Sequence, residues 1–338
     1  MHVMRKYICL CVAATALLTG CQSEFKRPDT TGHEVSLSVA PFYKDLMESG
    51  ETDMHQLNVN LLEKYGDFYD SFCRFELRIG APGSFMADSL MKLFISQPEN
   101  TEVMAACDSV YRKIKIEKEA SDAFSCYAAL FPNQPVPEQI LCHFSFFNSR
   151  ILVDSTYVSF GIENYLGSNC RFYDWLAIPT YARQNRDAKW VVTDLVKAWI
   201  LSTMPEESGK EDVLTALIYQ AKVLYALHSC MPGLDDNRLF SMTDDQLKWC
   251  EQNEGNMWRL LAERKLLYST ELLDKSKLVN EAPFTYFFGN NSPGRAAIYC
   301  AYNIVRGYVK KHPDVTPAQL MAIQDAQSIL QGSGYSPK

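Results

Sequence analysis

Residues 213–228 read VLTALIYQAKVLYALH. At 100° per residue the apolar side chains fall on nearly every face, the pattern of a helix enclosed by protein. Such a helix requires others around it, and the neighbouring sequence supplies them. Upstream, residues 190–203 place Val191, Val192, Leu195, Val196, Trp199 and Ile200 on one stripe, with Lys197 opposite. Downstream, Thr243 and Gln246 form a capping box ahead of a helix reaching about Lys265. Ser292 and Pro293 read as N-cap and first-turn proline of a helix over 294–311. Its Ala296, Ala297, Cys300 and Ala301 are small enough for close helix contact. Thr316, Pro317 and Gln319 repeat the capping pattern for a last helix ending near Gly332.

The first half is more mixed. Residues 34–40 alternate polar and apolar, with Val35, Leu37 and Val39 on one face, and predict a strand. Residues 41–130 are mostly helical in pattern, broken at Gly66, at Ala81-Pro82-Gly83 and at Gln97-Pro98. After a proline-rich turn over 133–137, the β-branched and aromatic runs 139–147 and 151–160 flank Asn148-Ser149-Arg150 and predict a hairpin. There is no internal repeat or low-complexity segment, and no linker divides the halves. The expectation is one α+β domain over residues 34–338, predominantly helical, with helices packed on a small antiparallel sheet.

Of 338 residues, 47% are hydrophobic and 22% charged, ordinary for a folded protein and incompatible with bulk disorder. The 33 basic and 40 acidic residues give a net charge of -7. A nucleic-acid partner is not expected, because tracking phosphates needs a basic surface.

The N-terminus carries the most specific signal. Residues 1–6 are a short basic segment and Tyr7 to Leu18 an apolar run of 12 residues, followed by Thr19-Gly20-Cys21. The run is too short to span a bilayer, which takes ~20 helical residues, and its flanks are those of a secretory signal. Leu18-Thr19-Gly20-Cys21 resembles a bacterial lipobox, which implies cleavage after residue 20 and acylation of Cys21 with chains such as palmitate. Each buried CH₂ contributes ~0.8 kcal/mol, so several chains hold a protein stably at a membrane. Gln22 in place of Asp, by resemblance to Gram-negative lipoproteins, favours the outer membrane. Residues 1–20 are thus read as signal peptide and 21–33 as a lipid-anchored polar tether. Cys9 and Cys11 leave with the signal. The eight cysteines from Cys73 to Cys300 contain no C-x-x-C pair, and several lie on apolar helical faces where a small buried hydrophobe is expected.

The search for chemistry is mostly negative. A zinc hydrolase needs two histidines at i and i+4 on a helix. His33-Glu34 is followed at the fourth position by Leu37, and the long helices hold only His228 near an end. No metal or other cofactor is therefore expected. His143 in the sheet reads as a hydrogen-bonded structural residue. Cys142 and His143 are strand neighbours whose side chains point to opposite faces, and there is no G-x-S-x-G elbow, Walker A loop or dinucleotide fingerprint. One residue stands out. The stripe Leu247, Cys250, Glu254, Met257, Trp258, Leu261 puts Glu254 on an apolar face, where a carboxylate must be paired or titrate upward. Arg295 and Lys222 are its candidate partners in a buried polar cluster. A structural ion pair is favoured over a catalytic acid, because no nucleophile or metal set accompanies it.

The second half resembles the gliding motility lipoproteins called GldB and their relatives in Bacteroidetes. The resemblance is carried by Tyr165-Leu166-Gly167, Tyr173, Ile178-Pro179-x-Tyr181 and Leu217-Ile218-Tyr219-Gln220-Ala221-Lys222-x-x-Tyr225. It continues through Trp249-Cys250-x-x-Asn253-Glu254-x-x-Met257-Trp258 and Leu266-Leu267-Tyr268-Ser269-Thr270. Ala282-Pro283-Phe284-Thr285, Ser292-Pro293-Gly294-Arg295 and Tyr335-x-Pro337-Lys338 complete the series. It spans roughly residues 160 to 338; the N-terminal half agrees in length and pattern only. The resemblance implies a lipoprotein of surface gliding or of envelope machinery near the type IX secretion system. GldB is also similar in layout to predicted zinc proteases, with residues 190–203 where a metal helix would lie. Here that helix has no histidine, and Ala221 stands where the family usually shows glycine.

Two functions follow as expectations. The first is a non-enzymatic outer-membrane lipoprotein, anchored through Cys21, whose domain docks an envelope protein partner. The second is a periplasm-facing hydrolase, a degenerate zincin-like protease, with a carboxylate site around Glu254. A third, blander one is a surface lipoprotein that binds glycan or peptide through its tyrosines and tryptophans.

Overall fold

The computed structural model describes residues 25–47, 53–206 and 211–337. The signal segment and Cys21 lie outside the described residues. Within them the chain forms α1 (Phe42–Met47), α2 (Met54–Tyr65), α3 (Asp67–Ser71), α4 (Phe85–Ser96), α5 (Pro98–Tyr111) and α6 (Glu117–Leu130). A small sheet follows: β1 (Val39–Ala40), β2 (Gln139–His143), β3 (Ile151–Val153) and β4 (Tyr157–Gly161). The helical half is α7 (Phe172–Trp175), α8 (Val191–Thr203), α9 (Val213–Cys230), α10 (Asp236–Phe240), α11 (Asp244–Glu263), α12 (Leu272–Val279), α13 (Ala296–Lys311), α14 (Pro317–Ala322) and α15 (Ala326–Ser333). The fold is predominantly helical α+β, as the periodicity predicts.

Helix α9 is the hub. All of its residues except Gln220, Tyr225 and His228 are buried, and it packs against α6, α8, α10, α12, α13, α14 and α15. Helix α13, with Ala296, Ala297, Cys300 and Ala301 all buried, makes its closest association with α9. The capping boxes at Thr243 and Thr316 both form. The final helix is two short ones, because the chain turns extended at Ile323 before Asp325 caps α15.

The sheet separates two apolar cores, and strand alternation assigns its side chains to them. Ile140, Cys142, Val158 and Phe160 join the main core with α8 and α9. Leu141 and Tyr157 join a smaller one centred on Phe42, whose ring meets Tyr65, Phe68 and Phe72 edge-on.

The sheet differs from the expected hairpin. Its order is β1-β2-β4-β3; β1 and β4 run parallel to β2, and β3 alone is antiparallel, on β4. Residues 151–160 fold back on themselves at Asp154-Ser155-Thr156, where the Asp154 amide donates to the Tyr157 carbonyl at 3.0 Å. The second run is thus a hairpin by itself, and its outgoing arm pairs in parallel with β2. A strand covered on both faces suits parallel pairing.

The strand expected over 34–40 pairs only at Val39 and Ala40. Its earlier amides are taken by serine hydroxyls of α6: Val35 donates to Ser125 Oγ at 2.8 Å and Leu37 to Ser121 Oγ at 2.9 Å. The expected tether is seated on the domain from Phe25 onward. Phe25 is 7% exposed and stacks on His228 with ring centroids 3.9 Å apart, and Arg27 pairs with Asp122 at 2.9 Å.

Candidate functional site

Polar side chains gather where β2 and β4 end. His143, fully buried, lies between Ser159 Oγ and the Ser149 carbonyl, the latter 3.2 Å from Nε2. A carbonyl can only accept, so Nε2 carries the proton and Nδ1 accepts from the Ser159 hydroxyl. Burial lowers its pKa to about 4, against the pull of the Ser149 bond. Gly161 is required beside it: a Cβ there would stand 2.6 Å from the Ser149 carbonyl oxygen.

One turn on, Glu163 is fully buried. Its Oε1 accepts from the Ser145 amide at 2.9 Å and the Phe147 amide at 3.0 Å. These amides converge because Phe146 and Phe147 adopt positive φ, 55° and 67°. Among the described residues Oε2 has no hydrogen-bond partner. Burial raises the carboxyl pKa to about 7 despite the amide bonds.

Two partly buried arginines, Arg150 and Arg186, lie next to these groups. Arg150 contacts Asp194 of α8, and its Nη2 also donates to the Asn185 carbonyl at 2.5 Å. Its guanidinium lies 4.9 Å from the centre of the Tyr165 ring. Arg186 contacts Asn164, donates to the Ala182 carbonyl at 3.2 Å and lies 5.2 Å from the Tyr173 ring centre. Lys197 follows Asp194 by three residues, so the two share one side of α8. Burial first, then the neighbouring Arg295 charge, lower the Lys197 pKa to about 7; Asp194 and Glu281 oppose this. Sequence reasoning set Lys197 on the polar side of α8. The structure gives it a partly buried position, and the only signal was its i, i+3 spacing from Asp194.

Arg295 is a further partly buried cation. Helix α13 begins at Ala296, two residues later than Ser292-Pro293 suggests, and Arg295 is its N-cap in left-handed conformation, φ 61°. Ser292 instead bonds Thr285: its Oγ accepts from the Thr285 amide at 3.1 Å. Thr285 Oγ1, brought in from the preceding loop, accepts from the Ala296 amide at 2.9 Å. Glycine is needed at 294, because a Cβ would lie 2.0 Å from the Ala282 carbonyl oxygen. This tight approach sets Glu281 beside Arg295. Burial lowers the Arg295 pKa and Glu281 counteracts it.

The three residues expected to cluster have separate surroundings. Glu254 accepts from Asn303 Nδ2 at 2.8 Å and Tyr335 Oη at 2.6 Å, both neutral donors. Lys222, 7% exposed, donates to the Met321 and Ile323 carbonyls at 3.0 and 2.8 Å, tying α9 to the exit of α14. Arg295 has the Glu281 charge beside it. Among the described residues no ion pair joins Glu254 to either cation. Also among the described residues, no three His, Cys, Asp or Glu side chains are grouped to hold a metal ion, and no helix is long and apolar enough to cross a membrane.

Residues 23–337 match the family model described as gliding motility protein GldB. The chain belongs to the GldB family. Neither the curated proteins nor the solved structures yielded a match. The match places the chain among gliding motility lipoproteins, and the segments that carried the resemblance acquire a structural meaning. Tyr165 and Tyr173 of the GldB-like series tie this polar region together: Tyr165 Oη donates to Asp194 at 2.8 Å, and Tyr173 Oη donates to the Glu163 carbonyl at 3.1 Å and accepts from the Leu166 amide at 3.1 Å. The 282–285 and 292–295 segments form one interlocked unit that presents Arg295.

Proposed function

We propose that this GldB-family chain is held at the outer membrane through acylated Cys21 and acts without catalysis in gliding motility or an associated envelope or secretion assembly. The family match carries the reading. The apolar run ending at Thr19-Gly20-Cys21 supports the anchor, as does the seating of Phe25 on α9. Phe25 is four residue steps from Cys21, a reach of at most about 14 Å at full extension. An anchored domain would therefore ride close to the bilayer with the C-terminal end of α9 toward it. The non-enzymatic part is supported by the neutral partners of Glu254.

The test is genetic. Deleting the gene in its host should impair surface spreading or delivery of proteins to the cell surface. Wild type and Glu254→Gln should restore it, and Cys21→Ser should not. Rescue by a folded, soluble Cys21→Ser protein would refute the anchor. Failure of a folded Glu254→Gln protein would transfer support to the hydrolase reading.

A further inference from the structure

Lys222 has more donors than the fold uses. It is 7% exposed, and an ammonium carries three protons. Two go to the Met321 and Ile323 carbonyls at 3.0 and 2.8 Å. Among the described residues the third has no acceptor, and no carboxylate forms an ion pair with Nζ. The charge is thus buried against neutral acceptors alone, which leaves much of its lost hydration unmatched. The amine lies in the wall of a recess of about 60 Å³. Thr215, Ile218, Tyr219 and Lys222 follow one another at i, i+3, i+4 and i+7 on one face of α9 and form its buried floor. Glu206, Ala322 and Gln324 also line it and are exposed, so its mouth opens to water. Tyr219 spends its proton on the Met204 carbonyl at 3.1 Å. Of the lining residues Lys222 is the one cation and Glu206 the one carboxylate.

We propose that this recess binds an α-amino acid group, ammonium and carboxylate on one carbon, with the carboxylate on Lys222 at the floor and the ammonium beside Glu206 at the mouth. The volume suits the group that enters: about 60 Å³ is two waters' share of the liquid, and a carboxylate fills it. A bond from a buried ammonium to a carboxylate is charge-assisted on both sides, and so of the stronger kind. Glu206 selects what is attached to that carboxylate. Its own charge repels a plain anion entering past it and attracts a cation carried next to the anion. Lys275 and Asp212 also stand near Glu206, but they are opposite in sign and neither lines the recess. Burial lowers the Lys222 pKa to about 8, with Glu206 opposing, so the amine gains most from an anion brought to it. The two carbonyl bonds fix Nζ before any ligand arrives. The rest of the ligand leaves through the mouth, so the recess reads the paired charges and not the side chain.

The experiment is calorimetric titration of the full-length protein in detergent with L-alanine at pH 7, with propionate and ethylamine as the analogues that lack one charge each. Wild type should bind L-alanine saturably and at least tenfold more tightly than either analogue. Lys222→Met should abolish alanine binding. That change also strips two carbonyls of their donor, so its melting curve is recorded beside the titration, and should it not fold, Glu206→Gln decides. Glu206 is exposed, and Glu206→Gln should melt as wild type does while binding alanine and propionate within threefold of each other. Dihexanoyl phosphatidylserine, which carries the same two charges on one carbon, distinguishes the source: tighter binding than alanine assigns a lipid headgroup, equal or weaker binding a free amino acid. No saturable alanine binding, propionate bound as tightly as alanine by wild type, alanine binding unchanged in a folded Lys222→Met protein, or a Glu206→Gln protein that keeps the tenfold preference would each overturn the proposal.

Discussion

Tyr165 Oη donates to Asp194 Oδ2 at 2.8 Å, and Arg150 reaches the same carboxylate oxygen while its Nε donates to Tyr165 Oη at 3.2 Å. This closed triangle joins the turn after β4, the start of β3 and the first turn of α8. The Arg150 and Asp194 side chains are only 23% and 18% exposed, so removing one strands the other. Asp194→Asn should cost about 3 kcal/mol in urea denaturation. Adding Arg150→Met should cost less than the sum of the two single changes, because the orphaned guanidinium goes with it. Simple additivity would show that the two groups do not act together.

Glu163 should give the stability a slope with pH. Its carboxyl titrates at about 7 in the fold against an ordinary 4.5. Between these values the unfolded chain has lost the proton and the native one keeps it, so stability falls as pH rises through this window. His143 acts in the opposite sense. Its pKa of about 4 against 6.5 means that stability falls as pH drops from 6.5 toward 4. Glu163→Gln keeps an acceptor for the Ser145 and Phe147 amides while removing the titration. The variant should gain on wild type by about 3 kcal/mol between pH 4.5 and 7, at ~1.36 kcal/mol per unit. A constant difference across that range would show that Glu163 does not titrate there.

Gly294→Ala should be severe. The new Cβ would meet a backbone oxygen, not a movable side chain, so the 282–285 and 292–295 segments would have to separate and release the Thr285 cap on α13. A loss of at least about 3 kcal/mol is expected. Gly233→Ala, where nothing lies within 4 Å of the new atom, should change stability by less than about 1 kcal/mol. Equal melting curves for the two variants would contradict the interlock.

Glu254 is expected to matter through packing. Glu254→Gln preserves an acceptor for Asn303 and Tyr335 and should shift stability by less than about 1 kcal/mol. Glu254→Ala, which leaves both donors unmatched beneath the Trp258–Tyr335 ring contact, should cost about 1–3 kcal/mol. Equal losses for the two, measured by chemical denaturation, would mean that the charge itself is needed.

The helical half was legible because its signals are local. The all-round apolarity of residues 213–228 is what a hub helix requires, and the two capping boxes are complete within four residues. The sheet was less so, since the β2–β4 pairing is set by burial on both faces and by a three-residue turn hidden inside an apolar run. Helix α13 was placed two residues early because its cap comes from Thr285, eleven residues upstream of the amide it serves. The partners of Glu254 were missed for the same reason: Tyr335 lies 81 positions away, and nothing in the helical periodicity of α11 points to it. Lys197 was set on the polar side of α8 because periodicity reports which side of a helix is apolar, and says nothing of what covers the other side.

The central claim concerns how the protein is held. The most direct measurement is mass spectrometry of the N-terminal peptide of protein taken from fractionated cell envelopes. The account predicts that the mature chain starts at Cys21, carries acyl chains and sediments with the outer membrane, and that Cys21→Ser abolishes both the modification and the processing. An unmodified N-terminus in the soluble periplasmic fraction would contradict it.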